Sequence, residues 1–206
     1  LRTPLTALRL RLENLQARAS SADADELEAA IDETVRLGAL VNDLLQLARA
    51  DQSHVVEDTD LAAVTAGRVD MWVAVADAKD VRLELSGADQ PVLVAAVPGA
   101  LEQILDNVLD NAINATPSGS LVTISVERGT AQHVLRISDQ GPGLSDEDKA
   151  HAVGRFWRGT TGGSGTGLGL AIASALATAS GGDLTLGDAS GHGLAVTLSL
   201  RPADSS

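Results

Sequence analysis

Glycine is distributed unevenly along this 206-residue chain, and its distribution divides the sequence into two parts. Fourteen of the 20 glycines lie between Gly141 and Gly193, whereas the first 60 residues contain only Gly38. Glycine weakens helices, but it allows backbone angles and close approaches that other residues do not. The first part is therefore suited to long helices, and the second to glycine-lined loops within a separate domain.

Residues 1–54 are predicted to form a helical hairpin. The first helix has a heptad seam of apolar residues, which consists of Leu5, Leu8, Leu12, Leu15 and Ala19. The second helix has a wider apolar stripe, which consists of Leu27, Ile31, Leu37, Gly38, Leu40, Val41, Leu44, Leu45, Leu47 and Ala48. Because two helices alone cannot bury stripes of this width, we expect two hairpins to pair as a dimeric four-helix bundle. The alternative is that both stripes pack against the rest of the chain.

Residues 55–206 are predicted to form an α/β sandwich of the α+β class, in which helices cover one face of a mixed sheet. Apolar periodicity predicts helices over 60–78, 98–115 and 167–179, the second of them starting at Pro98. Strands are predicted at 81–85, 91–95, 121–127, 133–138, 184–186 and 194–200. The stretch from Leu144 to Ser164 is predicted to be a long polar loop.

Composition and charge exclude several classes of function. The chain has no cysteine, which excludes disulfides, cysteine zinc sites and thiol nucleophiles. Its formal net charge of −13 argues against a nucleic-acid partner. No apolar run is long enough to span a bilayer, and no signal peptide is recognisable. Since the sequence starts at Leu1, inside a predicted helix, we expect it to be a fragment of a longer chain.

Three asparagines lie on one face of the helix predicted over 98–115. Asn107, Asn111 and Asn114 follow the i, i+4, i+7 spacing that aligns side chains along a helix. Asparagine is a mediocre helix former, so three on one stripe cost stability and suggest a polar ligand at this face, although the stripe alone slightly favours the alternative below. A neutral amide oxygen is a suitable ligand for Mg²⁺. The alternative is a solvated polar face without a role.

Two glycine motifs follow on later segments. Asp139 ends a predicted strand and precedes Gly141 and Gly143, so that a flat ligand can approach the backbone. Its carboxylate can then accept a hydrogen bond from an amino group such as that of adenine. The run from Gly163 to Leu170 opens a helix, whose free N–H groups favour a phosphate. A plain turn and a flexible linker are the respective alternatives.

A hydrophobic pair flanked by cations lies between these two motifs, in the sequence Arg155-Phe156-Trp157-Arg158. Such a pair in a long polar loop is typical of a lid over an anionic ligand. A short helix that docks Phe156 and Trp157 into the core is the alternative, and it is compatible with a lid.

The order and spacing of these motifs resemble the ATP-binding domain of sensor histidine kinases, which belong to a superfamily with gyrase, Hsp90 and MutL. The resemblance covers roughly residues 60–200. The hairpin resembles the dimerisation and phosphotransfer domain of the same family, in which Leu1-Arg2-Thr3-Pro4-Leu5 matches the end of a His-Glu-Leu-Arg-Thr-Pro-Leu motif. Both domains of the family are therefore matched in order.

The resemblance implies a role for each motif. Asp139 would bind the adenine amino group, Asn111 would be a ligand of Mg²⁺, and Asn107 would lie near the phosphates as a catalytic residue. Thr3 occupies the position that orients water when the response regulator is dephosphorylated. The other implied nucleotide-binding positions are Asn114, Gly141, Gly143, Phe156, Arg158, Gly165, Thr166, Gly167, Leu168 and Gly169.

The sequence departs from the family at two places. The family often has Lys and Tyr where this chain has Asn114 and Ala115, so we expect weaker ATP binding than is usual and tighter binding after Asn114→Lys. The phospho-accepting His and the Glu after it would precede Leu1, and none of the four histidines present fits the motif. We therefore expect this fragment to bind ATP without autophosphorylation.

The resemblance implies the cytoplasmic catalytic portion of a cell-membrane sensor histidine kinase, which uses ATP and Mg²⁺. In the full protein the γ-phosphoryl group would pass to a histidine and then to an aspartate of a cognate response regulator. The partners would be a second copy, through the hairpin, and that regulator, with membrane contact only through the absent upstream region. The alternatives are a gyrase-like or Hsp90-like ATPase of the superfamily and a nucleotide-regulated dimerisation scaffold.

Overall fold

The structure of the chain is a computed structural model. It describes residues 55–154, Trp157 and residues 167–203, together with part of the region before them: Leu12, Leu15, Leu27, Ala30, Ile31, Glu33, Thr34, Leu37, Gly38 and Val41. The chain divides into two compact units, Leu1–Arg49 and Ala50–Ser206.

The described residues of the first unit are all helical. Thr34 is buried, and its hydroxyl donates to the carbonyl of Ala30 at 2.8 Å, so its polar atom is satisfied one turn earlier in the helix. Leu15 and Leu37, which belong to the predicted apolar stripes, are 56% and 43% exposed within the single chain. Several other members of the stripes lie outside the described residues, among them Leu5, Leu8, Ala19, Leu44 and Leu45.

The second unit alternates between strands and helices. In chain order its elements are β1 (Glu57–Asp60), α1 (Leu61–Asp77), β2 (Arg82–Ser86), β3 (Leu93–Ala96), α2 (Ala100–Ala115), β4 (Leu121–Glu127), β5 (His133–Ser138), α3 (Asp146–Ala152), α4 (Gly169–Ala179), β6 (Asp183–Asp188) and β7 (Leu194–Leu200). The side chain of Asp60 caps α1 by accepting from the backbone N–H groups of Ala62 and Ala63.

Five of the strands form a mixed sheet with the order β2-β4-β5-β7-β6. β2 is parallel to β4, and the other neighbouring pairs are antiparallel. An apolar row crosses all five strands in register, and it consists of Leu85, Ile124, Ile137, Val196 and Leu186. Alternate residues of β4 are buried, whereas Thr123 and Glu127 on the other face are exposed. One face of the sheet is therefore buried and the other is polar.

Helices α1, α2 and α4 pack on the buried face of this sheet. α2 contacts both α1 and α4, and it contributes Leu101, Ile104 and Leu105 to the core. This arrangement confirms the predicted α+β sandwich, in which helices cover one face of a mixed sheet. Among the described residues, no helix combines the length and the apolar character that crossing a bilayer requires.

A second sheet of two strands brings together the beginning and the end of this unit. β1 pairs antiparallel with β3, with Thr59 opposite Val94. Val94 also forms a bridge with Pro202, and the N–H of Ala203 donates to the carbonyl of Leu93 at 3.0 Å. β1 is not among the predicted elements, because its sequence, Glu-Asp-Thr-Asp, lacks the apolar alternation that identifies a strand.

Two of the sequence predictions are wrong in this unit. The loop predicted from Leu144 to Ser164 contains helix α3, whose N-cap Ser145 accepts a hydrogen bond from the N–H of Asp148 at 3.1 Å. Three acidic residues in the first turn of α3 interact favourably with the helix dipole. The helix predicted over 98–115 begins at Ala100 rather than at Pro98, because its N-cap Gly99 adopts a left-handed conformation.

Candidate functional site

Asp139 is a buried carboxylate directly after β5. It is 3% exposed, and its Oδ1 accepts hydrogen bonds from the backbone N–H of Gly141 at 2.8 Å and of Leu194 at 3.2 Å. Burial raises the pKa of Asp139 above its ordinary value, and the hydrogen bonds from Gly141 and Leu194 offset part of this effect. No donor among the described residues contacts Oδ2. That oxygen is therefore available to accept a hydrogen bond from a ligand.

The backbone around Asp139 approaches so closely that side chains are excluded at two positions. A Cβ atom at Gly193, which has a φ of 108°, would lie 2.0 Å from the carbonyl oxygen of Asp139. A Cβ atom at Gly141 would lie 2.7 Å from the carbonyl oxygen of Ala115, at the end of α2. Because Gly141 has no side chain, the loop that follows Asp139 can lie directly against α2, the helix that carries the three asparagines. Gly193 was not identified from the sequence, although its place in a glycine-rich turn before β7 is a signal of close backbone approach.

The three predicted asparagines on α2 have different environments. Asn107 is half-buried, and its Nδ2 donates to the carbonyl of Gln103 at 2.9 Å. Asn111 is also half-buried, and its amide has no hydrogen-bond partner among the described residues. Asn114 is exposed; its Nδ2 donates to Asp110 at 2.8 Å, and its Oδ1 accepts from the ammonium group of Lys79. Asn111 is thus the asparagine whose amide oxygen and nitrogen both remain available to a ligand, whereas Asn107 is engaged only through its nitrogen.

The start of α4 lies against the middle of α2. A Cβ atom at Gly169 would be 3.2 Å from Oδ1 of Asn107, so the end of the glycine motif and the first asparagine are neighbours. Leu168 is fully buried next to this contact, and no side chain caps the helix that follows. The first backbone N–H groups of α4 are therefore suited to an anion.

Three motifs that are separate in the sequence thus meet on α2. The Asp139 loop contacts the end of α2 at Ala115, and the glycine motif contacts it at Asn107. Gly143, with a φ of 70°, lies beside Gly193 in the same loop region. The remaining predicted site residues, Thr3, Phe156, Arg158, Gly165 and Thr166, lie outside the described residues.

The residues that are present fit a magnesium ion bound mainly by a ligand's own oxygens. No group of three or more His, Asp or Glu side chains within the described residues could hold a metal ion. The amide oxygen of Asn111 is one neutral donor, which suits Mg²⁺ because this ion keeps several waters and phosphate oxygens and takes few protein ligands.

A polar cluster that was not identified from the sequence fastens α1 to α2. Asp106 accepts hydrogen bonds from Nε of Arg68 and from Nε1 of Trp72, each at 2.9 Å, and Nη2 of Arg68 contacts both carboxylate oxygens. Asp106 precedes Asn107, so this cluster holds the asparagine helix in place. No local pattern in the sequence points to this cluster, because Asp106 lies 38 positions from Arg68 and 34 from Trp72.

Comparisons with known families assign both parts of the chain. The family described as "Histidine kinase-, DNA gyrase B-, and HSP90-like ATPase" matches residues 96–204. The family described as "His Kinase A (phospho-acceptor) domain" matches residues 1–53. The first match contains Asn107, Asn111, Asp139 and Gly169, so the site described above lies within it.

Two curated relatives support the same assignment. Sensor protein IrlS of Burkholderia pseudomallei is 34% identical over 163 residues, which cover 77% of this chain and 34% of the relative. Signal transduction histidine-protein kinase AfsQ2 of Streptomyces coelicolor is 33% identical over an alignment that covers 100% of this chain and 40% of the relative. The chain thus spans well under half the length of the curated relatives it matches.

A solved structure has the same fold. Histidine kinase AdeS of Acinetobacter baumannii matches with a TM-score of 0.68 and 25% identity, and the match covers 98% of this chain and 97% of that one. Both family matches, the curated relatives and the fold agree with the motifs that meet on α2. This chain belongs to the sensor histidine kinases of two-component systems, within the family of histidine kinase-, DNA gyrase B- and HSP90-like ATPases.

Proposed function

We propose that this chain binds Mg-ATP along α2, with adenine at Asp139 and the phosphates near Asn107 and Gly169. The observation that carries the proposal is that the Asp139 loop contacts α2 at Ala115 while the glycine motif before α4 contacts it at Asn107. The stripe of three asparagines on α2 therefore extends between the two motifs. From Asn107 to Ala115 the helix rises about 12 Å, at about 1.5 Å per residue. This span suits an extended nucleoside triphosphate, with its base at one end and its γ-phosphate at the other.

Asp139 provides the selectivity for adenine in this proposal. Its Oδ1 is engaged by two backbone N–H groups, so Oδ2 accepts from the exocyclic amino group of the base. Guanine has an oxygen at the corresponding ring position, which would face the carboxylate without a proton between them. A buried acceptor left unpaired in this way is costly, so ATP is favoured over GTP.

In this proposal the phosphates are held by neutral donors, by a metal ion and by the lid that contains Arg158. Asn111 provides an amide oxygen to Mg²⁺, which neutralises charge on the phosphates when it is bound. The first N–H groups of α4 and the side chain of Asn107 bind phosphate oxygens. Gly167 and Leu168 hinge the segment before α4, while Phe156, Arg158, Gly165 and Thr166 supply the lid and its phosphate contacts.

In the whole protein, we propose that the γ-phosphoryl group passes to a histidine and then to an aspartate of a cognate response regulator. The match of residues 1–53 to a phospho-acceptor domain supports this step, and Thr3 would orient water in the reverse reaction. Residues 1–54 form the dimerisation and phosphotransfer hairpin in this scheme, and residues 55–206 form the catalytic domain. The whole protein would present both domains on the cytoplasmic side of a membrane.

Calorimetric titration of the 206-residue chain with Mg-ATP and Mg-GTP tests the nucleotide site. We expect ATP to bind more tightly than GTP, and we expect Asp139→Asn to weaken ATP binding by at least about tenfold, since it replaces a charged acceptor with an amide. Asp183→Asn, at the exposed start of β6, is the matched control and should bind ATP like the unmodified chain. An unmodified chain that does not bind ATP, or an Asp139→Asn variant with unchanged affinity, would contradict the proposal.

A further inference from the structure

Lys79 is a cation placed on the asparagine stripe by a segment distant in sequence. It follows α1, and its ammonium group donates to Oδ1 of Asn114, 35 residues further along the chain. Asn114 shares its helix face with Asn107 and Asn111. The end of α1 therefore places a positive charge over the same face of α2 that carries the candidate site.

Unlike the other lysine, Lys79 has no carboxylate partner among the described residues. Lys149 forms ion pairs with Asp146 and Asp188. The nearby acid Asp110 accepts instead from Nδ2 of Asn114, and the carboxylate of Asp80 accepts from the hydroxyl of Ser118 at 2.8 Å. The contact of Lys79 with a neutral amide leaves its charge available to an anion.

We propose that Lys79 is a phosphate-binding residue of the ATP site, and that it supplies from the end of α1 the cation that position 114 lacks. The proposal rests on the proposed function. Residues three apart on a helix are neighbours, so an ammonium group at Asn114 lies beside Asn111, the position proposed for Mg²⁺. Lys79 therefore meets the phosphate closest to the ribose rather than the γ-phosphate. The flexible four-carbon stem of lysine lets this group turn from the amide to a phosphate oxygen. In a chain with a net charge of −13, each local cation favours the binding of a polyanion.

The competing explanation is that the Lys79–Asn114 contact only ties the end of α1 to α2. Exposed polar contacts of this kind contribute little to stability. A purely structural contact would affect the binding of ATP and of adenosine, which has no phosphate, equally. The difference between ATP and adenosine therefore distinguishes the two explanations.

Calorimetry with Mg-ATP and with adenosine, on the 206-residue chain and on Lys79→Met, provides the test. We expect ATP affinity to fall about three- to tenfold through loss of one charge-assisted contact, and adenosine affinity to stay the same. Arg136→Met is the matched control, because it removes one exposed positive charge on the opposite face of the sheet. Thermal unfolding of each variant verifies that it is folded.

A double variant that moves the positive charge from position 79 to position 114 on α2 provides a second test. In the Lys79→Met background, Asn114→Lys should restore ATP affinity, and its effect should exceed that of Asn114→Lys in the unmodified chain. Equal losses for ATP and adenosine in Lys79→Met, or no loss for either, would overturn the role of Lys79 while leaving the ATP site intact. An unmodified chain that does not bind ATP would overturn the proposed function together with this inference.

Discussion

At the scale of single residues, Asp139 is held in surroundings that oppose its own ionisation. Burial raises its pKa, although Gly141 and Leu194 each donate a backbone hydrogen bond to it. The folded chain therefore retains a proton at pH values where the unfolded chain has already lost it. The contribution of this group to the free energy of unfolding falls as pH rises from its ordinary pKa of 3.8 through the raised value, and stays lower above it.

The variant Asp139→Asn should therefore be modestly more stable than the unmodified chain at neutral pH. Its amide oxygen keeps the two backbone hydrogen bonds, and the buried charge is gone. The difference in the free energy of unfolding should disappear below pH 3.8, where the unmodified carboxyl is protonated in both states. Urea unfolding of both chains at several pH values measures this difference. A variant that is less stable than the unmodified chain at neutral pH would show that the buried charge of Asp139 does not destabilise the fold.

The sequence predicts the residues of the site that lie in local motifs. Asp139, Asn107 and Asn111 are recognisable because strand ends, glycine spacing and helix periodicity point to them. Lys79 is not recognisable in this way, and the glycine-rich turn before β7 indicates a close approach at Gly193 without showing what it approaches. Lys79 meets Asn114 across 35 positions, and Gly193 is required only because the backbone of Asp139 lies beside it. Both depend on tertiary contacts that no local pattern contains.

At the scale of elements, the position of the asparagine helix depends on its contact with α1. Asp106 accepts from both Arg68 and Trp72, so a single carboxylate fixes two side chains of the neighbouring helix. Sequence periodicity predicts both helices nearly to their ends, but it does not predict this contact. The bounds of β4, β5 and β7 agree with the prediction because alternating apolar residues define them. Helix α3 lacks an apolar stripe, and the periodicity therefore missed it.

Asp106→Ala should lower the free energy of unfolding by about 1–3 kcal/mol, because it leaves the guanidinium of Arg68 and the indole N–H of Trp72 without their acceptor. Asp70→Ala, which removes an exposed carboxylate from α1, is the control and should change stability by less than about 0.5 kcal/mol. Urea unfolding of both variants gives the comparison. Equal effects of the two substitutions would show that the cluster does not fasten the helices.

At the scale of the whole molecule, the first unit leaves apolar side chains in solvent when the chain is considered alone. Leu15 and Leu37 are both about half exposed, although they belong to the apolar stripes of the hairpin. We propose that a second copy covers them in a four-helix bundle.

Leu15→Glu should therefore shift the chain from dimer to monomer. It places a carboxylate in the apolar interface between the two hairpins, where burying a charge without an opposite charge beside it is costly. Leu93→Glu is the matched control, since Leu93 is 50% exposed, close to the 56% of Leu15, but lies in β3 of the second unit. Sedimentation equilibrium over a range of concentrations measures both. The dimer would not depend on the hairpin if Leu15→Glu remained dimeric, or if Leu93→Glu also became monomeric.

The small sheet of β1 and β3 has a consequence for how the second unit can be joined to other chains. β1 lies on one side of β3, and Pro202 lies on the other side of it at Val94. Strands in a sheet are about 5 Å apart, so Thr59 and Pro202, which lie near the two ends of the described part of this unit, are about 10 Å from each other. Transplanting this part of the chain into a loop of another protein would therefore require little stretching of that loop.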